Sequence, residues 1–114
     1  MSNSKIIVIN DQQELESIIE SSKACVIDFY ASWCKPCKEL GKHLAKMVDD
    51  DNKYTNVTVC KLDIDNSELS EFVTACDITS IPRMVFYKNG EVVGDIVGLK
   101  YDEITAKMEE LDSN

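Results

Sequence analysis

Val26-Ile27-Asp28-Phe29-Tyr30-Ala31-Ser32-Trp33-Cys34-Lys35-Pro36-Cys37 is the stretch whose reading decides the fold. Val26 to Tyr30 is a run of apolar, β-branched and aromatic residues, the pattern of a strand buried on both faces. A single carboxylate, Asp28, interrupts it. From Cys34 onward Leu40, Leu44, Met47 and Val48 recur at helical spacing, so a helix is expected from Cys34 to about Val48. Pro36 stands in its first turn, where a missing N–H costs nothing. Two thiols three residues apart at a helix start share one face and lie close together. The positive end of the helix dipole favours a thiolate on the first of them. This is the geometry of a dithiol that can cycle with a disulfide.

The flanking sequence alternates strand and helix signals. Lys5 to Ile9 reads as a short first strand, and Asn10-Asp11 offers a cap for a helix with Leu15, Ile18 and Ile19 on one face. Asp49-Asp50-Asp51-Asn52-Lys53 reads as a solvated acidic turn without the spacing of a calcium loop. Val57 to Asp63 is a further strand, and Leu69, Phe72, Val73 and Cys76 mark a third helix. Met84 to Tyr87 and Glu91 to Val93 flank Lys88-Asn89-Gly90, and Asn-Gly is a strong hairpin signal. Tyr101, Ile104, Met108 and Leu111 give a last helix one apolar face. The order βαβαβαββα predicts an α/β protein, with parallel crossovers followed by a terminal hairpin and helix. No repeat or linker divides it, so one domain over residues 1–114 is expected.

Composition narrows the function. A formal charge of −9 disfavours nucleic acid and anionic membrane as partners. No apolar run is long enough to span a bilayer. The opening Met1-Ser2-Asn3-Ser4-Lys5 lacks the pattern of a secretory signal, so a reducing, cytoplasmic setting is expected. Five cysteines without framework spacing do not suggest a stapled secreted fold. Cys25 and Cys60 fall in strands and read as small buried hydrophobes, and Cys76 is expected to be partly exposed. A metal site from Cys34, Cys37, Cys60 and Cys76 would lack the second C-x-x-C or His pair usual for structural zinc, so no metal is expected.

Trp33-Cys34-Lys35-Pro36-Cys37, the in-strand Asp28 six residues before Cys34, and Ile81-Pro82 far downstream together resemble the thioredoxin family. The resemblance runs from about Lys5 to Leu111. It implies a thioredoxin fold, a central mixed β-sheet flanked by helices. It also implies protein disulfide reduction by a monomer, with Cys34 as the solvent-reaching nucleophile and Cys37 as the shielded resolving thiol. Asp28, its pKa raised by burial, would move a proton to or from Cys37. Lys61 matches a lysine near that carboxylate. Ile81-Pro82 matches a cis-proline loop which, with Trp33 and Gly98, would receive an extended substrate segment. The only redox group is the Cys34–Cys37 pair itself. No other cofactor is expected, and a thioredoxin reductase or equivalent would supply electrons. The substrates would be disulfide-containing proteins.

Each feature also has a plainer reading. The two cysteines could be an inert core pair or a static disulfide, Asp28 a structural carboxylate, Lys61 a surface lysine and Gly98 a turn residue. An oxidase or isomerase domain, or a non-enzymatic docking subunit, are the alternatives at the level of function. Three positions depart from the family pattern. Lys35 replaces the usual Gly before Pro36, and Arg83 replaces the Thr after Pro82, both expected to add positive charge around Cys34. Lys42 stands where a second proline often kinks the helix, so a weaker bend is expected.

Overall fold

The strand Ala24–Tyr30 lies at the middle of the molecule, in a computed structural model that describes residues 4–113. In chain order the elements are β1 (Ile7–Val8), α1 (Gln12–Ser21), β2 (Ala24–Tyr30), α2 (Lys35–Ala45), β3 (Thr58–Asp63), α3 (Ser70–Ala75), β4 (Arg83–Lys88), β5 (Glu91–Val97) and α4 (Tyr101–Asp112). The sheet order is β1-β3-β2-β4-β5. β1, β3 and β2 run parallel, while β4 is antiparallel to β2 and β5 to β4. The fold is the expected mixed sheet flanked by helices.

Period-two alternation along β2 explains why it is apolar on both sides. Val26 packs with Leu40 and Leu44 of α2 and with Ile104, Met108 and Leu111 of α4 on one face. Cys25, Ile27 and Phe29 point the other way, among Leu15, Cys60, Leu62, Leu69 and Val85. The Phe29 and Phe72 rings stack there with centroids 6.1 Å apart. Asp28 shares the Val26 face and therefore lies under α2. Cys25 and Cys60 are buried as expected, and Cys76 is half-buried.

Asp11 caps α1 by accepting the Glu14 N–H at 2.8 Å. The Asn-Gly pair forms the two-residue hairpin turn between β4 and β5, with φ of 53° at Asn89 and 83° at Gly90, as a type I′ turn requires. α2 continues through Lys42 to Ala45 without interruption, and its end widens into a π turn over Lys46–Asp50.

Two expectations need correction. β1 spans two residues rather than the five from Lys5 to Ile9, because the Lys5 N–H is taken by the Asp49 carboxylate at 2.7 Å instead of by a neighbouring strand. The acidic segment is solvated as expected, with Asp50, Asp51, Asn52 and Lys53 exposed, but Asp49 and Asp50 belong to the π turn that ends the long helix rather than to a separate turn. Asp49 also accepts the Ser4 hydroxyl, Asp51 pairs with Lys46 at 2.8 Å, and Asn52 accepts the Lys5 ammonium. The contacts of Asp49 and Asn52 hold Ser4 and Lys5 against the end of the long helix.

Candidate active site

At Tyr30 the buried strand ends, and the chain turns through Ala31, Ser32 and Trp33 into α2. Cys34 is the N-cap of that helix. Its Sγ accepts the Cys37 N–H at 3.2 Å, so the first sulfur occupies the place that a capping oxygen takes in other helices. Pro36 stands in the first turn, as expected. Cys34 and Cys37 are joined as a disulfide, with Cα atoms 5.2 Å apart.

Exposure does not separate the two cysteines as expected. Cys34 is 6% exposed and Cys37 4%, because Ala31, Tyr30, Ile64 and Ile81 close over both. The asymmetry is electrostatic instead: only the Cys34 sulfur receives a backbone N–H at the positive end of the helix. Trp33 carries the exposure, at 68%, and its indole N–H donates to Asp65 at 2.8 Å. The contact with Asp65, in the turn after β3, had no signal in the sequence.

The Ile81–Pro82 peptide bond is cis, and Ile81 packs against the disulfide. Gly98 comes to the same place, its N–H donating to the Pro82 carbonyl at 2.8 Å. Its φ of +88° is one that favours glycine, and a Cβ there would project into open space. Trp33, the disulfide, the cis-proline loop and Gly98 thus gather at one end of the sheet.

Asp28 is fully buried, and neither of its carboxylate oxygens has a hydrogen-bond partner. Burial pushes its pKa up to about 7, and the positive charge of Lys61 offsets part of that rise. Lys61 stands opposite Asp28 in the β2–β3 register, and its ammonium lies 4.5 Å from the centre of the Tyr30 ring. It is half-buried rather than a free surface lysine. A cleft of about 350 Å³ opens beside it, lined by Tyr30, Ala31 and Ser32, by Cys37, Lys38, Gly41, Lys42 and Ala45 of α2, and by Lys61.

Arg83 does not add free charge around Cys34. Strand alternation places it on the α1/α3 side of β4, where Nε and Nη2 grip both Asp95 oxygens at 2.8 and 2.7 Å. Nη1 donates to the Asp77 carbonyl at 2.9 Å. The cation is therefore matched, and it fastens the loop carrying Ile81 and Pro82 to β5. Lys35 remains exposed next to Cys34, as expected. Cys60 lies in the core on the α1/α3 side of the sheet and the half-buried Cys76 packs against it, both in a different cluster from the Cys34–Cys37 pair.

A sequence profile of the Thioredoxin family matches residues 5–110. The chain belongs to the thioredoxin family. It is 34% identical over 100 residues to thioredoxin-1 of Schizosaccharomyces pombe, covering 88% of this chain and 92% of the relative. It is 34% identical to the mitochondrial thioredoxin-3 of Saccharomyces cerevisiae over 85% of this chain and 72% of that one. Among solved structures, a Plasmodium falciparum thioredoxin superposes with a TM-score of 0.82 at 31% identity, over 91% of this chain and 97% of the other. A Nicotiana alata thioredoxin gives 0.83 at 31% identity, over 96% and 95%. With a disulfide-capable cysteine pair at the family's site, this thioredoxin-like chain is a thiol-disulfide oxidoreductase of the protein disulfide reductase type. The oxidase, isomerase and docking-subunit alternatives are not favoured by these relatives.

Proposed function

We propose that Cys34 is the attacking thiol, Cys37 the resolving thiol and Asp28 the proton carrier of this reductase. The observation that carries the assignment is the Cys37 N–H directed at Cys34 Sγ at the start of α2, which favours negative charge on that sulfur. In the reduced protein the Cys34 thiolate attacks one sulfur of a substrate disulfide. A mixed disulfide forms, and the other substrate sulfur leaves as a thiolate that takes a proton. Cys37 then loses its proton to Asp28 and attacks Cys34 Sγ, re-forming the intramolecular disulfide and releasing the second substrate thiol. Two electrons pass to the substrate. A carboxyl with a pKa of about 7 can accept and return that proton at neutral pH.

Trp33, the Ile81-Pro82 backbone and Gly98 would hold an extended substrate segment across the disulfide, with Lys35 favouring the Cys34 thiolate. The dithiol is the only redox group this chemistry needs. A separate reductase would restore it, and disulfide-bearing proteins would be its substrates, in keeping with a place in electron transport and redox homeostasis. The reducing conditions this requires favour the cytoplasm, although one of the relatives is mitochondrial. No helix of the described residues is long and apolar enough to cross a membrane. Reduction of insulin disulfides, driven by dithiothreitol, tests the assignment. Wild type should accelerate it and Cys34→Ser should not, and full activity in Cys34→Ser would overturn it.

A further inference from the structure

The cleft beside Cys37 carries a charge opposite to that of the whole molecule. The chain has 21 acidic and 12 basic side chains, yet the cleft lining contains Lys38, Lys42 and Lys61 and no carboxylate. Lys38 and Lys42 are exposed and stand one turn apart on the same side of α2. Lys61 approaches from β3, its ammonium held against the Tyr30 ring. Gly41 lies between them, and a Cβ there would stand 3.9 Å from Lys61 Nζ, which places that ammonium over the same side of α2. None of the three lysines forms an ion pair among the described residues, whereas Lys46, Arg83 and Lys107 each do.

Acidic groups nearby do not close the site. Glu39, the one acid of α2, is not in the lining, and Asp28 is sealed beneath the sheet surface. Asp63, paired with Tyr30 in the β2–β3 register, also lies outside it. Lys38 and Lys42 without an ion pair among the described residues, and Lys61 facing only the buried Asp28, form a focused positive field in a concave site on an otherwise anionic protein.

We propose that this cleft is a specificity site, one that receives acidic side chains lying a few residues from the disulfide in protein substrates. The inference rests on the reductase reading, because Cys37 forms part of the cleft wall and a bound carboxylate would sit next to the reacting pair. The chemistry is charge complementarity with an acidic peptide segment. A basic segment would meet like charge here.

The test is single-turnover reduction of two fluorogenic disulfide peptides, one with Glu residues flanking the cystine and one with Gln in their place. Lys38→Gln/Lys42→Gln is compared with Lys23→Gln/Lys88→Gln, which loses the same charge at the opposite end of β2. The ratio of acidic to neutral rate should fall about three- to tenfold in the first variant and by less than about twofold in the second. The neutral-peptide rate should be equal in both. Raising salt to about 0.5 M should shrink the difference. Equal ratios in the two variants, with the neutral peptide still reduced, would overturn the docking site and leave the reductase intact. Failure of wild type to reduce either peptide would instead remove the reductase reading. Self-association of wild type that is lost in Lys38→Gln/Lys42→Gln, with unchanged peptide ratios, would assign the cleft to a second copy of the chain.

Discussion

Replacing Asp28 by Asn keeps the side-chain shape and removes the ionisable group, and the structure sets the expected consequence. In an unfolded chain this carboxyl titrates near 3.9, and in the fold burial lifts it to about 7. Between those values the folded state holds a proton that the unfolded state has lost. Stability therefore falls as pH rises from about 4 to about 7, and the loss is complete above the folded pKa. A gap of about 3 units at about 1.4 kcal/mol each amounts to roughly 4 kcal/mol. That is a large share of the 5–15 kcal/mol typical of a domain. It is an upper figure, since water drawn to the ionised carboxylate relieves part of the cost. Guanidinium chloride unfolding of the oxidised wild type and Asp28→Asn at pH 4 and pH 8 measures it. The two proteins should be close in stability at pH 4, and the variant should be more stable by about 3–4 kcal/mol at pH 8. A stability difference that does not change between the two pH values would refute the reasoning. The same substitution should slow decay of the mixed disulfide near neutral pH more than its formation.

Asp95→Asn or Arg83→Ala should each cost about 1 kcal/mol, because the fork is bidentate and Arg83 is only 18% exposed. In insulin reduction either should raise KM more than it lowers kcat, since the loop bearing Ile81 and Pro82 loses its tie to β5; unchanged KM would count against that role. Gly41→Ala should stabilise α2 by about 0.5–1 kcal/mol, seen as a higher Tm, because the added Cβ meets only the flexible end of Lys61 at 3.9 Å. A lower Tm would mean that the cleft cannot take a methyl group. Burial pushes the Cys25 and Cys60 thiols up to about 11 and 12. Iodoacetamide at pH 7 should therefore label Cys34 of the reduced protein and leave both untouched until unfolding, as peptide mapping would show.

The sequence made the central strand and its helix legible because two periodicities meet there. An apolar run at Val26–Tyr30 and a helical pattern from Cys34 leave little choice of geometry. The hairpin was equally plain, since Asn89-Gly90 suits a turn that needs positive φ at both positions. Gly98 and the cis bond at Pro82 were reached only through resemblance, as a lone X-Pro carries no such signal. What stayed hidden depends on pairing between distant residues. Arg83 looked like a free cation because Asp95 lies on the next strand and Asp77 at the end of α3, and neither spacing marks a partner. The contacts of Asp49 were hidden because Ser4 and Lys5, which fold back onto it, are remote in sequence. The exposure of Cys34 was misjudged for a related reason: the cover comes from Ile64 and Ile81, both remote in sequence. The cationic cleft is also a tertiary feature, joining one side of α2 to a single lysine of β3.

The central claim is that the two sulfurs have different roles, with Cys34 attacking and Cys37 resolving. Mass-spectrometric mapping of mixed disulfides formed by Cys37→Ser and Cys34→Ser with one disulfide-bonded substrate tests it most directly. A stable adduct on Cys34 in the Cys37→Ser variant, with none in Cys34→Ser, is the predicted result. A stable adduct on Cys37 in Cys34→Ser, with none in Cys37→Ser, would contradict it.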